Sequence, residues 1–354
     1  MSRTDAMTAK ERSRDASRFQ VVGRTVEARV QSAVLADWLD RHWREPDESR
    51  RRDGAEPADH PYHIAIDERR SAPAGPTDDT GSEIVEVRLP DGGAMEWRAW
   101  RGSGRDSGPR FDGRWVTVGD GDCVTVRLAP GRARIAVRAA ADPPPELFSA
   151  LYVALAEALR ASGLIALHAA VVVRPGGGGE ATALVAPSGV GKTTTLLRLL
   201  DRGWRPLAED LAWLDPATRR VHAGDRGIRL WPDTIERAAP ELTEAPWTSD
   251  PDGKAFLSWA SLDVERVRSA RLARLVLLER DGDERVAPAS TIEPLPPHEA
   301  VRALWEATGV PLSPATRAAQ ADVISGLARD LAFARIRLGG TPIPDPASFV
   351  GPGA

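Results

Sequence analysis

The sequence predicts an α/β protein in two parts: a β-rich N-terminal (α+β) domain with one early helix, and a C-terminal domain of alternating strands and helices. Three observations carry this. From Tyr62 to Val137, short segments of alternating polarity are bounded by Gly, Pro or Asp. Asp142-Pro143-Pro144-Pro145 then interrupts the chain. Further on, an apolar strand passes through a glycine-rich loop directly into an apolar-periodic helix.

Each element follows from local pattern. Residues 1–18 are polar and are expected to be a disordered tail. Residues 19–142 form the expected N-terminal domain, an accessory or substrate-selecting unit. It opens on a strand-like run, Phe19 to Gln31, followed by an amphipathic helix through Leu35, Trp38 and Leu39 to Trp43. Polar loops at 44–59 and 69–82 separate this from the segments Tyr62 to Ile66, Ile84 to Leu89, Met95 to Trp100, Trp115 to Val118, Val124 to Leu128 and Arg134 to Val137. These read as strands of an antiparallel sheet. Residues 146–340 form the expected second domain. Its first helix, Glu146 to Ser162, carries Leu147, Leu151, Leu155 and Leu159 at i, i+4 spacing. A strand from Leu164 to Val173 follows, then a hairpin tip at Gly176 to Gly179 and a second strand from Thr182 to Ala186. Residues 341–354 are a Pro/Gly-rich tail, and no internal repeat is visible.

Composition removes several function classes. The 354 residues hold three lysines (Lys10, Lys192, Lys254) and no asparagine, while 44 of the 47 basic residues are arginine. This pattern reads as G+C-rich coding bias. Without asparagine there is no glycosylation sequon, no Asn-Lys-x-Asp guanine reader and no catalytic-loop Asn of eukaryotic-type protein kinases. A net charge near −4 gives no general attraction to nucleic acid. The N-terminus lacks a secretory h-region, and the most apolar stretch, Leu147 to Leu167, is broken by Glu157 and Arg160, so neither secretion nor a membrane partner is expected. The single cysteine, Cys123, reads as inert and as the mark of a reducing, cytoplasmic location.

The sharpest local signal is Ala186-Pro187-Ser188-Gly189-Val190-Gly191-Lys192-Thr193. It matches the phosphate-loop pattern Gly-x4-Gly-Lys-Ser/Thr except at Ala186. Backbone N–H groups of Ser188 to Thr194, backed by the positive end of the following helix, are suited to cradle nucleotide phosphates. Lys192 supplies a mobile cation for the β- and γ-phosphates, and Thr193 a hydroxyl for Mg²⁺. An ABC-type ATPase would need an LSGGQ-type signature downstream, and none is present.

Around this loop lie GLIALHAAVV (residues 163–172, holding His168), RGWRPLAED (ending Glu209-Asp210), GIRLWP (Gly227 to Pro232) and GKAFLSW (Gly253 to Trp259). In this order the chain resembles the HPr kinase/phosphorylase family and the HPr-kinase-related kinases, including those of lasso-peptide gene clusters. The core is also similar to phosphoenolpyruvate carboxykinase. The resemblance covers roughly residues 145–340. It implies an HPr-kinase-like nucleotide-binding fold, with ATP and Mg²⁺ as cofactors and a hydroxyl-bearing protein, peptide or small molecule as acceptor. It also implies roles: His168 near the metal and the transferred phosphoryl group, Glu209 as the base, and Asp210 with Thr193 as metal ligands. Glutamate stands at 209 where the family usually has aspartate, which adds one methylene to the base and bears on rate. Lys254 and Arg229 are further candidates for phosphate contact. Related kinases are often homo-oligomers, but no interface signature is legible here. His60 and His63 have metal-like spacing without clustered carboxylate or cysteine partners and read as structural or exposed.

The expected function is thus an ATP- and Mg²⁺-dependent kinase acting on a serine-type hydroxyl. The alternative is a nucleotide-binding regulatory or interaction protein with weak or no transfer, motivated by Ala186 and Glu209. A plain ATPase or a reversible kinase/phosphorylase is a third reading.

Overall fold

The computed structural model describes residues 17–43, 62–69, 83–88, 94–101, 111–116, 123–176, 178–249, 253–262, 264–280, 290–339 and 343–348. The chain is a mixed α/β protein that divides into two compact units. The first comprises Met1–Gly163 with Pro311–Arg317, the second Leu164–Val310 with Ala318–Ala354.

The first unit is built on an eight-stranded sheet in the order β1-β2-β3-β8-β7-β6-β5-β4. The strands are β1 (Ser17–Val21), β2 (Arg24–Arg29), β3 (His63–Glu68), β4 (Glu83–Arg88), β5 (Ala94–Arg101), β6 (Phe111–Val116), β7 (Cys123–Ala129) and β8 (Arg132–Arg138). The run expected as one strand from Phe19 is a hairpin. Val22 and Gly23 both take positive φ, 51° and 70°, the geometry whose twist suits a two-residue hairpin turn. The sheet is mixed rather than antiparallel, because β3 lies parallel to both β2 and β8. A parallel neighbour needs a crossover of a dozen or more residues, and helix α1 (Ala33–His42) lies in the 33-residue connection between β2 and β3. Across β2, β3, β7 and β8 one face is apolar (Val26, Ile64, Ile66, Val126, Ile135, Val137, all buried). Against β7 and β8 packs α2 (Pro145–Ala161) through its leucines at i, i+4 spacing. The proline run at 142–145 therefore starts a helix of the first unit, and the second unit begins after Gly163. Burial of the apolar stripe on α2 outweighs the local break that the prolines suggest.

The second unit holds a nine-stranded sheet whose main path is β12-β10-β11-β18-β14-β13-β9, with β20 beside β18 and β19 beside β20. The ranges are β9 (Ile165–His168), β10 (Ala170–Val173), β11 (Glu180–Val185), β12 (Arg205–Ala208), β13 (Leu211–Asp215), β14 (Arg220–Ala223), β18 (Ser269–Arg280), β19 (Thr291–Pro294) and β20 (Ala332–Leu338). A separate three-stranded sheet contains β15 (Gly227–Leu230), β17 (Ala255–Ser258) and β16 (Thr248–Ser249). The helices are α3 (Lys192–Leu200), α4 (Pro232–Ala238), α5 (Pro297–Thr308) and α6 (Pro314–Asp330).

The expected single strand from Leu164 to Val173 is two strands that bend at Ala169. β9 pairs with β13, while β10 pairs with β11 and β12. The chain from β12 into β13 bends likewise at Glu209-Asp210, and the Ala169 N–H donates to the Asp210 carbonyl at 3.1 Å. The two antiparallel segments thus stay paired with each other through the bend, while their outer neighbours change, β11 beside β10 and β14 beside β13. Alternation then separates two cores. Ile165, Leu167, Val171 and Val173 join Leu304 and Leu327 of α5 and α6, whereas Ala170, Val172, Leu184 and Val276 join Leu196 and Leu199 of α3. No helix among the described residues is long and apolar enough to cross a membrane.

Candidate functional site

Strand directions set the site. β10 runs antiparallel to β11 and to β12, and β18 runs parallel to β11. The end of β11, the 168–169 bend, the 209–210 bend and the end of β18 therefore fall on one edge of the sheet. The glycine loop crosses this edge between β11 and α3, with Gly189 at φ 81° and Gly191 at φ 122°, values that disfavour any side chain. Ala186 is not among the non-glycine residues with positive φ, so the backbone does not require the glycine that the loop pattern has there. Ser188 and Gly189 are exposed, Val190, Gly191, Thr193 and Thr194 half-buried, and Lys192 buried at the start of α3.

Lys192 Nζ lies 2.8 Å from His168 Nε2, 3.5 Å from the Ala186 carbonyl and 3.9 Å from Asp210 Oδ1. His168 Nδ1 in turn lies 3.3 Å from Asp210 Oδ1. An ammonium can only donate, so Nε2 accepts and the imidazole proton sits on Nδ1, facing Asp210. Burial holds His168 below the usual imidazole range, Asp210 opposes this, and Lys192 and Lys254 reinforce it, which agrees with a neutral ring. Burial also pulls Lys192 below its ordinary value, with Lys254 adding to the effect and Asp210 and Glu209 resisting it.

The two acids at the bend differ. Glu209 is 3% exposed and accepts the Thr193 hydroxyl hydrogen at 2.5 Å, which ties the β12 end to the first turn of α3. Burial, then repulsion from Asp210 and Asp225, pushes its carboxyl up to about 8, against the pull of Thr193 and Lys192. The Asp210 side chain is 38% exposed and faces His168 and Lys192. Glu209 thus lies beneath the site, and Asp210 opens onto it.

Asp225 supports this bend, and sequence reasoning did not find it. Its Oδ2 accepts the backbone N–H of Glu209 at 2.5 Å, Asp210 at 2.9 Å and Leu211 at 3.4 Å. Its Oδ1 takes the Trp259 indole N–H at 2.8 Å and lies 3.1 Å from Arg266 Nη2. Burial raises the Asp225 carboxyl, and Arg266 with the surrounding donors opposes it. Arg266 also donates to the Leu207 and Asp225 carbonyls and stacks over the Trp259 ring, 5.1 Å from its centroid. The preceding Gly224 reflects the same close packing, since a Cβ there would stand 2.7 Å from the Leu211 carbonyl.

The remaining candidates fall as follows. Lys254 Nζ sits 5.4 Å from the Trp231 ring centroid, and Trp231 is 50% exposed. Arg229 is half-buried on β15, opposite Phe256. His63 is exposed at the start of β3 in the first unit, while His60 lies outside the described residues. Cys123 is buried. Among the described residues no group of three or more His, Cys, Asp or Glu is placed to hold a metal by itself. Thr193 and Asp210 nevertheless fit a magnesium ion that draws its other ligands from phosphate and water. The Thr193 hydrogen is committed to Glu209, leaving its oxygen lone pairs open, and Asp210 offers a partly exposed carboxylate. Set beside models of known families and beside curated proteins, the sequence matches none.

Proposed function

We propose that the chain is an ATP- and Mg²⁺-dependent kinase that transfers the γ-phosphoryl group to a serine-type hydroxyl of a protein, peptide or small molecule. One observation carries the reading: a buried lysine where a glycine loop enters a helix shares one sheet edge with a histidine and two carboxylates, the parts phosphoryl transfer requires. Residues 188–194 bind the phosphates through backbone N–H groups at the α3 N-terminus. Lys192 neutralises charge on the β/γ end, and His168 orients Asp210. Magnesium, held by Thr193 and Asp210, supplies further neutralisation of phosphate oxygens when bound. In the resemblance the base is Glu209. Its burial and its bond to Thr193 favour a different use, in which Glu209 fixes Thr193 for the magnesium that Asp210 shares.

The test offers ATP with HPr, with a peptide ending in serine and with free serine, and follows the γ-phosphate. At least one acceptor is expected to be phosphorylated, with a loss of about 100-fold or more in Lys192→Ala. Equal product from both proteins with every acceptor contradicts the proposal. The burial of Glu209 also favours a second reading, nucleotide binding without transfer. That reading predicts stabilisation by ATP with no phosphorylated product.

A further inference from the structure

The groups described so far flank the glycine loop on its β10 side. On its other side stands β18, parallel to β11 with Val185 opposite Leu277, and β18 continues three residues beyond that pair to Arg280. Gly191 records how close Arg280 comes. A Cβ placed there would meet Arg280 Nη2 at 3.4 Å and Leu338 Cδ1 at 3.5 Å, so the guanidinium borders the loop backbone one residue before Lys192. Arg280 is exposed to solvent rather than packed in the core. The loop therefore lies between two cationic groups: Lys192 among His168 and Asp210 on one flank, Arg280 on the other.

The asymmetry gives a direction to a bound nucleotide. The transferred phosphoryl group must lie beside the carboxylates and Lys192, so the polyphosphate leads away across the loop toward β18, and the nucleoside end emerges there. We propose that Arg280 is a nucleotide-binding residue that holds the α-phosphate end of ATP, away from the reacting centre. The inference rests on the kinase reading above. Guanidinium suits the task, because its planar fork can pair two phosphate oxygens while Lys192 acts as a point charge.

The experiment measures ATP and ADP affinity by calorimetry, and transfer kinetics, for wild type, Arg280→Ala and Arg280→Lys. Arg280→Ala is expected to weaken ATP and ADP by the same factor, about tenfold or more, with Arg280→Lys losing less. At saturating ATP, kcat should stay within about twofold, the signature of lost uniform binding. Unchanged affinity in Arg280→Ala overturns the inference. A loss confined to ATP, or a fall in kcat at unchanged KM, also overturns it by placing Arg280 at the γ end. A wild type that binds neither ATP nor ADP brings down the kinase reading as well, an outcome distinct from the others.

Discussion

At the scale of single residues, the site depends on how two buried carboxylates are paid for. Glu209 holds its proton up to about pH 8 in the folded chain, against an ordinary glutamate value of 4.5. Between these values the native state retains a proton that the unfolded chain has released, so stability falls as pH rises through that window. Urea unfolding of metal-free protein should therefore show a loss of order a few kcal/mol from pH 5 to 8. Glu209→Gln should flatten that slope, and parallel profiles for the two proteins would contradict the assignment. Asp225 behaves differently because its donors depend on it. Asp225→Ala leaves the Trp259 indole and three backbone N–H groups without their acceptor and takes from Arg266 its carboxylate partner. The expected cost is about 3–5 kcal/mol by denaturant titration, with loss of transfer activity as the 209–211 bend relaxes. The division between the acids is tested directly: Asp210→Asn, which weakens a magnesium ligand, should lower kcat by about 100-fold or more and raise the magnesium requirement. Were Glu209→Gln alone to lower kcat so far, the base would be Glu209.

At the scale of elements, what was legible in the sequence was whatever local chemistry decides. The strand–loop–helix around Lys192 was readable because glycine, lysine and threonine at fixed spacing have few other uses, and Gly189 and Gly191 do take the positive φ that only glycine tolerates well. The leucine spacing of α2 was readable for the same reason. Strand partners were not. Nothing between Leu164 and Val173 announces a bend at Ala169, where the partner segment bends as well and the outer neighbour changes from β14 beside β13 to β11 beside β10. Nor could local pattern show that β3 lies parallel to β2 and β8, since register is set by residues far apart in the chain. His168 and Glu209-Asp210 came from a resemblance of ordered motifs, whereas Asp225 and Arg280 meet the site only through tertiary pairing. Close backbone approach is testable here. A Cβ at Gly227 would fall 2.2 Å from the Leu257 carbonyl, on the partner strand β17. Gly227→Ala should destabilise the protein by about 2 kcal/mol or more in thermal unfolding, and a neutral result would contradict the close packing of β15 on β17.

At the scale of the molecule, every proposed catalytic and nucleotide-binding residue lies in the second unit, and the first holds the eight-stranded sheet with α1 and α2 among its described residues and no readable catalytic motif. Ligand binding to the folded state should raise its stability by mass action, by about 2.7 kcal/mol at a hundredfold excess over Kd. MgATP should therefore raise the melting temperature of wild type, while EDTA or Lys192→Ala should remove most of the shift. The central claim is transfer rather than binding. Phosphorus NMR of the full chain with MgATP and each candidate acceptor tests it most directly. A phosphate-ester resonance should grow as the γ-phosphate signal falls, requiring both acceptor and Lys192. ATP left intact with every acceptor, or converted only to ADP and inorganic phosphate, would contradict the account.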